Sequence, residues 1–516
     1  MNMRLGLGLF TAACSVALFH CSSLPDTCQG AACGVAPDGS MSEGGTDSGA
    51  DVAQPPAGCD PAADPKDAPK CVVSDFGVFV DATTGSDGNA GTQDSPVKSI
   101  SAALGKLGGK PRVYICEGTY AEHVKITSAV SVYGGFACGS WSYSGTKAKI
   151  APTDKGLALE IRGVSAAVAL SDLEVTAKDA SEPGESSVAA FVVSATKVTF
   201  RRTSLTAGKG VAGTDDTDPG AFAPLNAPDG TAGSAAVNPG GQTPNPLCTT
   251  SIGGAGGKDG TPNGAAGVVA VVPVYPVGYT GAGGPGGVSC FAGDGSYGVA
   301  GTPGAGASTL GTLDASGWKG ADGAPGGTGG NGQGGGGGGQ KVVGGGGVGG
   351  SGGPGGCGGA GGAKGAGGGS SIALLVFQSS VALEQSTLVA NDAGRGGNAA
   401  KGQKGQLNQT NTAAPSSAGA ACAGGIGGIG GSGGGGGGGA GGLSVGLLYN
   451  GTAPTIDGAS KTAADTLSSV TVGAKGTAGS KGLGGDAAQI SAPASRPGTD
   501  GTDGAAGQAK AVMSAP

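Results

Sequence analysis

Apolar and polar positions begin to alternate in short runs at Phe76. Val78 and Val80 alternate with Gly77 and Phe79 as in a strand, and Gly85-Ser86-Asp87-Gly88-Asn89 follows as a turn. Asp94 or Ser95, with Pro96 in the first turn, predicts a helix start, and Ile100, Ala103, Leu104 and Leu107 then share one helical face. Short strands follow at Val113–Ile115, Val124–Ile126, Val130–Val132 and Leu157–Leu159. One pattern then recurs: Val168, Leu170, Val175, Ala177; Val198, Phe200, Leu205, Ala207; Val381, Leu383, Leu388, Ala390. Similar lead-ins at Ser187-Val188-Ala189 and Ser371-Ile372-Ala373, with a degenerate one at Ser444-Val445-Gly446, predict a β-solenoid whose thin rungs stack to bury their inner faces. An ordinary β-sandwich is the alternative, and the long inserts between copies fit it poorly.

Those inserts are set by glycine: the chain has 516 residues, 118 of them Gly and 29 Pro. This share is the signature of low complexity. Residues 208–370, 394–442 and 474–516 leave the pattern just after a repeat copy and read as outsized loops, expected to be largely disordered because few side chains offset the entropy of ordering. A packed bundle of extended polyglycine helices is the other reading, and Gly320–Gly332 carries Gly at every third position. Collagen would sustain that period with abundant Pro. The apolar patch Val268–Val277 contains Pro273 and Pro276, which keep it out of a central strand. The expected organisation is a signal over 1–20, a low-complexity tether over 21–74, a β domain over 75–207, rungs over 371–393 and 443–473, and the glycine-rich segments between and after them.

The N-terminus reads as an export signal, with Arg4 followed by the apolar run Leu5–Phe19. Cys21 behind it resembles the lipidated cysteine of a bacterial lipoprotein. His20 departs from the small residue such signals place there; Cys14, after Ala12-Ala13, and plain secretion are the alternatives. Removing Cys14 and Cys21 from the 12 cysteines leaves ten, an even number that favours disulfides in an exported chain. The Cys28/Cys33 spacing has no second pair to complete a metal knuckle. A net charge of −7 argues against nucleic acid.

Residues 76–152 resemble the N-terminal unit of a bacterial domain-of-unknown-function family of pectin-lyase-like, right-handed parallel β-helices. The resemblance is carried by Val78-Phe79-Val80-Asp81, Gly85 to Thr92, Pro96, Ile100, Gly118-Thr119-Tyr120-Ala121-Glu122 and Tyr133-Gly134-Gly135-Phe136. It implies an all-β solenoid closed by a capping helix, in a glycine-rich surface lipoprotein. Ala90 stands where the family has Pro, and the likeness covers about 80 residues, specifying fold rather than function.

The search for chemistry yields no catalytic constellation, and the chain reads as a non-enzyme without cofactor or metal. Asp215, Asp216 and Asp218 form the best acidic cluster, with solvated turn residues as the default and calcium as the sharper reading. Arg201-Arg202 is the best basic pair, but neighbours on a strand face opposite ways. Asp87 and Asn89 read as turn-makers, His123 as an outward-facing residue. Tyr114, Tyr120, Tyr133, Trp141 and Tyr143 either fill the solenoid cap or stack sugar rings. The expected function is a structural or adhesive surface lipoprotein, a β-helix presenting Gly-rich loops, anchored in the outer membrane or cell surface by its lipid and contacting extracellular polysaccharide. A polysaccharide-binding or polysaccharide-cleaving β-helix and a disordered matrix polymer are the alternatives. Finally, Tyr114-Ile115-Cys116 and Phe136-Ala137-Cys138 share one pattern 22 residues apart. If a rung takes that length, strand spacing brings Cys116 and Cys138 within bonding range.

Overall fold

The structure, a computed structural model, describes residues 53–233, 239–268, 278–341, 347–408, 422–488 and 495–515. The export signal, Cys14, Cys21, Cys28, Cys33 and residues 269–277 of the apolar patch lie outside the described residues.

Alternation of apolar residues produces three parallel sheets around one core. The first holds Gly77–Val80, Arg112–Cys116, Ser131–Phe136, Ala167–Ser171, Lys197–Arg201, Val381–Glu384 and Thr455–Ile456, with Ala459–Ser460 added antiparallel. The second holds Val124–Ile126, Leu159–Arg162, Ser187–Val193, Ser371–Phe377, Ser444–Asn450 and Ala509–Ser514. The third holds Gly118–Tyr120, Ala148–Ile150, Leu173–Thr176, Ser204–Thr206, Thr387–Val389 and Val470–Thr471. Register sets Val168, Val198 and Val381 side by side, and likewise Val175, Leu205 and Leu388. These side chains meet Ile161, Val192 and Leu374 of the second sheet in the interior. Strands of the first sheet end on a residue in the left-handed region that turns the chain toward the third: Asp172, Arg202 and Gln385.

This architecture corrects the expected tandem-repeat, pectin-lyase-like right-handed parallel β-helix. Sheet neighbours are drawn from far along the sequence, as when Ser187–Val193 pairs with Ser371–Phe377, and the sheets belong to one compact unit running from Ala50 to the C-terminus. The expected capping helix is reduced to six residues, Ile100–Gly105. It starts later than the Asp94–Pro96 signal because Val97 is held in a parallel bridge to Val80; Ser99 becomes the N-cap, accepting from Ala102 N–H at 3.1 Å.

The larger correction concerns the inserts, whose described residues are ordered and packed. Their hydrogen bonds run between segments and recur every third residue, the pattern of extended threefold helices that have no internal bonds. Residues 428–442, all buried, form the axis. Gly433, Gly436 and Gly439 donate to Gln403, Ala400 and Gly397; Gly431, Gly434 and Gly437 donate to Gly330, Gly327 and Ala324; Gly435, Gly438 and Gly441 donate to Thr499, Thr502 and Ala505. The axis accepts in turn from Gly359, Gly362 and Gly365, from Gly298, Gly301 and Gly304, and from Gly479, Gly482 and Gly485. Surrounded on every side, its glycines have no room for side chains: a Cβ on Gly434 would fall well inside 3.0 Å of the Thr302 carbonyl. Peripheral segments need glycine only on the inward side, and there Gly476, Gly479, Gly482 and Gly485, and Gly498, Gly501, Gly504 and Gly507, recur at every third position. The expectations of glycine loops presented from a stalk and of a disordered polymer both fall with this packing.

Candidate functional site

The residues singled out from sequence are distributed and mostly occupied. Asp215 pairs with Arg395 at 2.6 Å, Asp218 accepts from the Lys401 N–H at 2.7 Å, and Asp216 accepts from the Thr217 N–H. Asp215 and Asp218 thus fasten one extended segment to its neighbour rather than converging on an ion. The Arg395 guanidinium, then the Asn398 N–H, hold the Asp215 carboxyl down at about 2. Arg201 pairs with Glu384 at 2.7 Å, and Arg202 bridges Asp172 and Asp64. Asp87 accepts from the N–H groups of Lys98 and Ser99, Asn89 donates to the Pro96 carbonyl, and exposed His123 lies 2.7 Å from the Leu157 carbonyl.

The aromatic group is buried rather than displayed. Tyr114, Tyr133 and Trp141 join Phe79 and Phe136 in a cluster on the outer face of the first sheet, while Tyr120 enters the main core. Residues 59–76 cover that face. Arg112 donates to the Pro61 and Ala63 carbonyls with Phe76 and Tyr133 rings on its guanidinium, and the Tyr114 hydroxyl donates to the Cys71 carbonyl at 2.6 Å. Burial pushes the Tyr114 hydroxyl up to about 12. Tyr143 stays partly exposed, with its hydroxyl donating to Asp172.

Among the described residues one group of ligand-type atoms comes together: buried Asp81 and Cys116 with exposed Cys138, within 4.8 Å of one another. Cys116 and Cys138 are joined in a disulfide with Cα atoms 5.0 Å apart. The Asp81 carboxylate accepts from the N–H groups of Thr83 and Thr84 and from the Thr84 hydroxyl. With its sulfurs bonded to each other and its carboxylate turned to a local cap, the group works as a staple between adjacent strands. Further disulfides join Cys59 to Cys71, Cys248 to Cys357 and Cys290 to Cys422.

A cleft of about 270 Å³ opens where the sheets meet the glycine lattice. Three chain segments build it. The turn Pro183–Ser186 leads into a strand of the second sheet, and Ala366-Gly367 belongs to the lattice. Between them lies a hairpin of Gly311–Asp314 and Gly317–Gly320, which carries Trp318, Lys319 and, just beyond, Asp322. Asp314 fixes the hairpin turn by accepting from the Ser316 N–H and hydroxyl. Trp318 packs against the apolar group of Leu313, Phe191 and Leu375, and its indole N–H donates to the Ser370 hydroxyl at 3.0 Å. Gly311 is required opposite it, since a Cβ there would press on the ring.

The carboxylates of the cleft are already partnered. Glu185 accepts from the N–H groups of Ser181 and Glu182 and pairs with Lys155 at 3.4 Å; Asp322 accepts from the Gly367 N–H and pairs with Lys364 at 2.8 Å. Burial works to raise both, but the N–H donors on Glu185 and the Lys364 ammonium on Asp322 outweigh it and hold both carboxyls below their usual range. Sequence reasoning missed this site. Its one signal was Leu310-Gly-Thr-Leu-Asp-Ala-Ser-Gly-Trp-Lys, a hairpin pattern with a tryptophan inside a glycine-rich stretch. No family model, curated protein or solved structure matches the chain.

Proposed function

We propose that the protein is an exported, non-enzymatic binding protein whose ligand seat is the Trp318 cleft. One observation carries the reading: a half-buried tryptophan, two carboxylates and a lysine line a concavity closed by three segments far apart in sequence. Aromatic walls with a few placed polar groups are the usual make-up of ligand sites. The glycine lattice contributes one wall through Ala366 and Gly367 and holds it rigidly, because its backbone groups are bonded to neighbouring segments. Export is supported by the four described disulfides, which persist in oxidising compartments. The Leu5–Phe19 run with Cys21 suits delivery to the cell exterior on a lipid anchor. Among the described residues, no helix is long and apolar enough to cross a membrane.

The test uses the tryptophans. Trp141 is buried, so an emission change on titration reports chiefly on Trp318. Oligosaccharides, short peptides and lipid vesicles are titrated in turn into the folded protein and into Trp318→Ala. A saturable change in the wild type is expected from one class, and calorimetry is expected to show that binding lost in Trp318→Ala. A flat response to all three would overturn the proposal.

A further inference from the structure

Resting on the reading of the Trp318 cleft as a ligand seat, we infer that its ligand is a neutral sugar, a single pyranose ring presented alone or at the end of a chain. Size comes first. At about 270 Å³ the cleft lies just under the roughly 300–1,000 Å³ typical of drug-sized ligands, so it accepts one ring and not an extended segment. Shape comes next. A pyranose has one face of C–H groups, and that face is matched by the flat indole of Trp318, which its own N–H bond to Ser370 and the bare Gly311 hold in one orientation.

Charge then separates the remaining candidates. Glu185 and Asp322 would attract a cation if they stood alone, but Lys155 and Lys364 already pair with them, and Lys319 lines the same cleft. An ammonium ligand gains little from neutralised carboxylates and meets the lysines. An anionic ligand finds the cations engaged in the same way, Lys155 and Lys364 in their pairs and Lys319 within electrostatic reach of Asp322. A polyhydroxylated neutral ring meets neither penalty. An ionised carboxylate has about four acceptor sites, and Asp322 uses two of them, on Gly367 and Lys364. Asp322 therefore keeps acceptor capacity for ligand hydroxyls, while the exposed Lys319 ammonium supplies donors. The same arrangement discriminates: a deoxy sugar lacking a hydroxyl toward Asp322 forfeits a charge-assisted bond.

Methyl pyranosides of glucose, galactose, mannose and N-acetylglucosamine, with glucuronate and glucosamine as charged counterparts, are titrated into the full chain. Trp emission and saturation-transfer NMR are read together. At least one neutral pyranoside is expected to bind saturably, ten-fold or more tighter than either charged counterpart. Trp318→Phe should retain part of the affinity and Asp322→Asn should weaken it several-fold, with unchanged circular dichroism in both. Tighter binding of a charged sugar would overturn the inference, as would full affinity in Asp322→Asn. Should a peptide or a vesicle give the saturable Trp318 response while every pyranoside stays silent, the sugar falls and the binding seat stands. Silence from all of them removes both.

Discussion

Single glycines decide whether this molecule can form, and they do so by what surrounds them. A Cβ at Gly434 would collide with a carbonyl oxygen that is itself hydrogen-bonded in the lattice, whereas one at Gly241 meets nothing within 4 Å. Gly434→Ala is expected to destabilise by upwards of about 3 kcal/mol, the upper part of the range for overpacking, because backbone cannot rotate aside as a side chain can. Gly241→Ala is expected to be neutral or to stabilise by under about 1 kcal/mol; thermal melts of the two variants separate these outcomes. At the lattice edge, Asp215 adds a pH dependence of known sign. Its folded pKa of about 2 is depressed, so its contribution is complete above the ordinary aspartate range and is lost as pH falls through the folded value. The pair is substantially exposed, which keeps the effect small through solvent screening. The stability gap between wild type and Asp215→Asn should therefore be widest above pH about 4 and close toward pH about 2.

The elements differ in how well the sequence announces them. Strands such as Val198–Phe200 are legible because each alternate side chain must enter the core, and burial leaves an apolar mark on the chain. The helix is legible as a helix but not in its start. Its cap is decided by the Val97–Val80 bridge and by Glu122, whose carboxylate accepts from the N–H groups of Ile100 and Ser101. The lattice segments leave no comparable mark, because backbone groups bond to backbone groups and glycine appears wherever a neighbour approaches. The three-residue period in Gly320–Gly332 is such an imprint, but nothing local in it names the six segments that surround the axis. The cleft was hidden for the same reason: Glu185, Trp318 and Gly367 share it only through contacts between segments far apart in sequence. The Cys116–Cys138 bond ties adjacent strands near the start of the first sheet. Replacing both cysteines by serine should cost about 3 kcal/mol, read as a lower denaturation midpoint.

For the whole molecule, ordered glycine segments reverse an intuitive expectation about digestion. Protease resistance depends on whether backbone can leave its surroundings to enter a protease, and here the N–H groups of the axis are donated to neighbouring segments. Limited proteolysis followed by mass mapping should therefore leave residues 295–307, 321–340 and 428–442 inside the resistant fragment, still joined by the Cys290–Cys422 link under non-reducing conditions. Early release of glycine-rich peptides from these stretches would count against the packed lattice. Arg202 offers a second handle at this scale, since its bridge between Asp172 and Asp64 fastens the segment covering the aromatic face to the sheets. Arg202→Met should loosen that segment by about 3 kcal/mol or more, because two little-exposed carboxylates are left without their cation. Hydrogen exchange across residues 59–76 would report it.

The axis at 428–442 also imposes an order of events on biosynthesis. It donates to residues 499–505, which are made after it, and accepts from residues 298–304, made long before. No partial set of segments can satisfy it, so a growing chain holds glycine stretches that are committed to nothing until the final ones arrive. Pairings this distant carry a large loop-closure entropy and fold slowly. On the proposed export route such a chain would thread a translocation channel unfolded, with the lattice crystallising from within only once all of its segments have crossed.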